Sequence, residues 1–89
     1  MDTMIKQIQI IERMDQRIRM RATGNPDEFA LRMDMSKTKI YRMIRIMKKL
    51  HAPVEYDITE QSYVYANEVG FTFGFFIKEE HEAELGISL

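Results

Sequence analysis

A chain of 89 residues, 45% of them hydrophobic, is long enough for one modest core and too short for a separate effector module. It has no cysteine, which excludes a disulfide framework and a thiolate metal site, and its two histidines, His51 and His81, lie too far apart in sequence to suggest a metal pair. The net charge of −1 conceals a division: residues 1–53 carry twelve Lys or Arg against six Asp or Glu, whereas residues 54–89 carry one against eight. A basic first half is the footprint expected of a phosphate-binding face. The alternative is a set of solvated helices that neutralise the acidic end. No basic stretch leads into an apolar run at the start and no segment is apolar enough to span a bilayer, so a soluble, cytoplasmic protein with no membrane partner is expected.

Ile5, Ile8, Ile11, Met14 or Asp15, and Ile18 recur at steps of three and four, which predicts a first helix from residue 3 to about 20. Gly24, Asn25 and Pro26 interrupt that period. Pro26 suits the first turn of a helix, where its missing amide costs nothing, and Phe29, Ala30 and Met33 then predict a short second helix over about 26–33. Ala30 is small where two helices would cross closely. The abrupt Asp34-Met35-Ser36 follows, with Ser36 able to cap a third helix over about 37–50 whose stripe is Ile40, Ile44 and Met47. Pro53 sets its limit, because the residue before proline is disfavoured in the helical region. Val54–Asp57 and Ser62–Ala66 are β-rich runs joined by residues 58–61, which predicts a hairpin. Seven of the eight methionines fall within residues 4–47, and those at 14, 33, 43 and 47 are expected to fill the core.

The start of the third helix carries Lys37, Thr38, Lys39, Tyr41 and Arg42, which can reach base edges and phosphates. Phe29-Ala30, Met33-Asp34-Met35-Ser36, and Lys37 through Arg42 together resemble the helix-turn-helix that opens bacterial transcription regulators of the DeoR and WYL type. In that family the second helix typically reads Ser-Arg-Arg-Thr-Val-Tyr-Arg. His51-Ala52-Pro53 through Asp57, followed by Gln61 through Tyr65, is similar to the family's wing, a hairpin entered through an Ala-Pro step. The likeness covers roughly residues 4–66. Two positions depart from it: the usual turn glycine is Asp34, which tolerates a left-handed backbone at modest cost, and the usual acidic residue after Tyr-Arg is Met43.

The resemblance implies an α+β, three-helix winged helix-turn-helix over residues 1–77 that binds double-stranded DNA. The third helix would enter the major groove as the reading element of a small transcription regulator. Ser36, Lys37, Thr38, Lys39, Tyr41, Arg42, Arg45, Lys48, Lys49 and Arg32 are the candidate contacts. Arg32, Arg45, Lys48 and Lys49 suit the DNA backbone, and Tyr41 suits packing at the helix junction. The wing tip, Thr59-Glu60-Gln61, is acidic, so the wing is expected to be structural or to approach DNA only through Gln61 and Ser62.

Gly70 to Ile77 contains four phenylalanines, with Phe71, Phe73 and Phe75 alternating. A further strand that extends the sheet or covers the helices is expected, the alternative being a ligand pocket or partner surface. Residues 78–89 form an acidic tail. Met43, Ile46 and Leu50 make a second apolar stripe on the third helix, and Ile10 and Met14 a surplus on the first. Such surface suggests a homodimer through these residues or through the Phe71–Phe76 run, unless that run covers the stripe within one chain. A contrasting function is a protein-interaction module that uses the Phe-rich strand and acidic tail. Catalysis is not expected: neither histidine has a nucleophile or carboxylate at a recognisable spacing, and no glycine-rich phosphate loop or cofactor motif is present.

Overall fold

The computed structural model describes residues 3–75, with helices α1 (Thr3–Arg19), α2 (Pro26–Met33) and α3 (Lys37–Lys49) followed by strands β1 (Val54–Asp57) and β2 (Ser62–Tyr65). The class is α+β, as expected. The two strands pair antiparallel, with Val54 opposite Tyr65 and Asp57 opposite Ser62, joined by the four residues expected to form the loop. The acidic segment 78–89, Phe76 and Ile77 lie outside the described residues.

Local chemistry explains where α2 and α3 begin. The Asn25 side chain accepts from the Glu28 amide at 2.8 Å while Glu28 accepts from the Asn25 amide at 3.0 Å, a reciprocal cap followed by Pro26 in the first turn. Gly24 precedes it at φ 72°, and a Cβ there would lie 2.7 Å from the Glu28 Cβ, so the position needs glycine for both conformation and space. At α3 the Ser36 hydroxyl accepts from the Lys39 amide at 3.1 Å, the predicted cap.

All three helices end alike. Ala22, Met35 and Ala52 each donate an amide to the carbonyl five residues back, those of Arg17, Ala30 and Met47, and the residue before each donor is left-handed: Arg21 at φ 53°, Asp34 at 56° and His51 at 71°. This is the Schellman closure, in which glycine is the usual left-handed residue. Here none is glycine.

The core joins Ile11, Met14 and Ile18 of α1, Phe29, Ala30 and Met33 of α2, and Ile40, Met43, Ile44 and Met47 of α3, with Val54 and Tyr63 from the hairpin. The four methionines expected inside are all buried. The Phe29 and Tyr63 rings lie tilted with centroids 5.7 Å apart, and Tyr56 meets Tyr63 edge-on at 5.1 Å, so aromatic contacts seat the hairpin against the helices.

Polar contacts fix the hairpin's position. Thr23, fully buried in the α1–α2 connection, accepts from the Tyr63 amide at 2.8 Å, donates to the Gly24 carbonyl, and lies 3.1 Å from the Ser62 hydroxyl, which in turn accepts from the Thr23 amide. Farther along α1, Arg19 grips the Asp15 carboxylate through both oxygens at 2.9 Å, and the Tyr65 hydroxyl donates to Asp15 at 2.7 Å. Arg19 also donates to the Val69 carbonyl and lies over the Tyr65 ring. One carboxylate thus ties α1 to β2, and its arginine ties both to the chain that follows.

Several expectations are corrected. Met43 and Met14 are core residues at 1% and 0% exposure, and Ile10 and Ile46 are half-buried against that core, so the supposed surplus is largely consumed within one chain. Leu50 alone of that set is exposed. Tyr63 and Val54 of the hairpin join the same core, a contribution that a three-helix count omits. The described part of the Phe run, residues 71–75, forms no strand: Phe71 packs against the core, whereas Phe73 and Phe75 are exposed. Alternation suits a strand but does not supply a partner edge, and Gly74 at φ 124° departs from extended geometry. Ser62, one of the two residues through which any wing contact with DNA was expected to run, is fully buried in the Thr23 network.

Candidate nucleic-acid interface

Burial divides α3 cleanly. Ile40, Met43, Ile44 and Met47 turn inward, and Thr38, Tyr41, Arg42, Arg45, Lys48 and Lys49 turn outward at steps of three and four. The outward row extends roughly 16 Å along the axis at about 1.5 Å per residue. Its frame is rigid because the opposite face is the core. The row begins with a hydroxyl and an aromatic and continues with four cations. Among the described residues, none of Arg42, Arg45, Lys48 and Lys49 makes an ion pair.

The other expected contacts are more constrained. The Ser36 hydroxyl is occupied as the helix cap. Lys37 pairs with Asp27 of α2 at 3.2 Å, and Lys39 is half-buried. Arg32 is set apart from the α3 row: its guanidinium donates to the Ala22 carbonyl at 2.9 Å and lies 3.8 Å from Glu28, so it faces the α1–α2 connection. Tyr41 is 40% exposed and close enough to Tyr63 to influence its phenol.

Arg21 is the cation the sequence reading overlooked. It closes α1 in the left-handed conformation and pairs at 3.6 Å with Glu60 in the hairpin loop. The signal available in sequence was faint, one arginine in a basic helix end. Two sectors result: a rim on which Arg21, Arg32 and Lys37 each face an acid, and a ridge along α3 without such pairing among the described residues.

Two concavities flank this surface. One, about 150 Å³, is lined mainly by apolar groups, including Ile11, Met47, Leu50 and Phe71, and the other is an open, more polar hollow beside Arg19 and Arg21. Among the described residues no cluster of His, Asp or Glu is arranged to hold a metal ion, and no helix is long and apolar enough to cross a membrane. No family model, curated protein or solved structure matches the chain.

Proposed function

We propose that this protein is a small DNA-binding regulator of winged helix-turn-helix type, with α2 and α3 as the helix pair, β1–β2 as the wing, and α3 inserted in the major groove. The observation that carries this reading is the row of Thr38, Arg42, Arg45, Lys48 and Lys49 on the face of α3 opposite the core. A major groove about 12 Å wide admits a helix, and a positive ridge along it answers the phosphates on either side. Thr38 and Arg42, nearest the start of α3, are suited to base edges. Arg45, Lys48 and Lys49 follow the backbone. The mechanism is occupancy of an operator. A homodimer of such modules would place two copies of α3 on half-sites one helical turn apart. Its contact would use Leu50 or the exposed phenylalanines, since Met14 and Met43 are inside.

The test is fluorescence anisotropy with a labelled random-sequence duplex over a range of salt, for the native chain and for Arg42→Ala/Arg45→Ala. Binding whose log affinity falls linearly with log salt, with the slope reduced by about two in the variant, supports the interface. No binding at low salt removes it. A second reading, a protein-interaction module, is favoured by Phe73 and Phe75, at 61% and 109% exposure. In that case Phe73→Ser/Phe75→Ser abolishes partner capture and leaves any duplex binding intact.

A further inference from the structure

Arg21 occupies a position that its side chain makes costly. A left-handed residue closing a helix is cheapest as glycine, and arginine gains nothing there from local backbone bonding. A residue kept in an unfavourable conformation invites the question of what its side chain does. Its partner is Glu60, at 3.6 Å and with both side chains about half exposed, a separation beyond hydrogen-bond range and a pair readily screened by salt.

The neighbouring acids have other duties. Glu28 completes the reciprocal cap of α2, and Asp27 sits in the first turn of α2, where the helix dipole favours negative charge. Among the described residues, the Glu60 carboxylate engages only Arg21, and its location is set by the loop: its amide donates to Asp57 at 3.1 Å, and the next residue, Gln61, is left-handed at φ 50°. The buried Thr23–Ser62 contact locks the base of this loop to the connection that carries Arg21. The connection leads directly into α2, whose Asp27 reaches Lys37 at the start of α3. Tyr63, next to Ser62, lies close to Tyr41 of α3, so the hairpin loop and the connection sit on the side of the molecule that carries the first turns of α3.

We infer that Arg21 is a phosphate contact of the DNA interface and that Glu60 is its internal substitute for that phosphate, displaced when the duplex binds. The inference rests on the DNA-binding reading and adds an exchange at the wing tip. The wing then acts on affinity through a carboxylate that must be released, rather than by reaching into a groove. Selectivity for duplex over a loose polyanion follows, because the exchange requires a phosphate placed beside an α3 already docked.

The test compares the native chain, Glu60→Gln, Arg21→Ala, Arg21→Ala/Glu60→Gln and Arg21→Gly in duplex titrations against salt, beside thermal melts. Glu60→Gln should bind about two- to fivefold tighter at low salt. Arg21→Ala should bind about three- to tenfold weaker with a salt slope smaller by about one, and Glu60→Gln should confer little advantage once Arg21 is gone. Arg21→Gly should melt higher than the native chain while binding as poorly as Arg21→Ala, a divergence that a purely structural role of Arg21 does not produce. An equal gain from Glu60→Gln with or without Arg21 overturns the exchange and leaves general repulsion by Glu60. Native affinity in the Arg21 variants overturns the contact itself. Absence of duplex binding by the native chain overturns the DNA reading and the exchange together.

Discussion

Replacing Thr23 by valine keeps the shape of a fully buried side chain and removes its hydroxyl. The Tyr63 amide loses an acceptor at 2.8 Å, the Ser62 hydroxyl loses a neighbour at 3.1 Å, and the Gly24 carbonyl loses a donor at 2.8 Å. Stranding one buried amide costs about 1–3 kcal/mol, and each further lost bond about 1 kcal/mol. Ser62 and Gly24 can recover part of this by relaxing, so the expected loss is about 2–4 kcal/mol. For a domain of this size that lowers Tm by roughly 10–25 °C. Thr23→Ser is the control, because it keeps the hydroxyl and gives up a methyl, worth about 1 kcal/mol. Urea melts followed by circular dichroism yield both values. If the valine variant lies within about 0.5 kcal/mol of the serine variant, the hydroxyl network does not hold the hairpin, and aromatic packing of Tyr63 on Phe29 must do so alone.

His51→Gly should stabilise the protein by about 0.5–1 kcal/mol in the same melts and Asp34→Gly by less, because aspartate tolerates the left-handed region better than histidine; a loss in either would mean that the side chain compensates for its backbone. Met43→Ala should cost about 2–5 kcal/mol with no dependence on protein concentration, as for a core residue within one chain, whereas a cost that vanishes on dilution would restore Met43 to a dimer interface. Burial, then the hydrogen bond to Asp15, raise the Tyr65 phenol above its ordinary value, and burial raises Tyr63 likewise. Folding therefore favours the neutral phenols. Their stabilisation is complete below the unfolded value of about 10 and is lost as pH climbs beyond it. Tyr65→Phe should be about 1–2 kcal/mol less stable at neutral pH and lose stability less steeply above pH 10, by up to about 1.4 kcal/mol per pH unit; unchanged steepness would remove Tyr65 from the alkaline transition.

Much of the backbone was legible in the chain because its signals are local. Pro26, Ser36 and Pro53 act on their own or adjacent dihedrals and amides, so α2, α3 and β1 begin where expected, and α1 and α3 differ from expectation only at their last residue. The inward stripes of α2 and α3 follow from a period of 3.6. What side chains do once elements meet was not legible. A second apolar stripe reads the same whether another copy or the rest of the same chain covers it, and packing within the chain placed Met43 inside. The alternating phenylalanines met every local requirement of a strand, yet the edge they needed is tertiary, and the Arg19 contact to Val69 holds the preceding backbone against α1 instead. Cations were visible as types, but their partners were not: Arg32 is turned to Ala22, Lys37 to Asp27 and Arg21 to Glu60 by contacts spanning 10 to 39 residues. Local sequence therefore determined the elements and their faces, because capping, proline geometry and helical period act within a few residues. Only the tertiary structure decided which cations face solvent and which face acids, because charge pairing depends on distances set when distant segments pack.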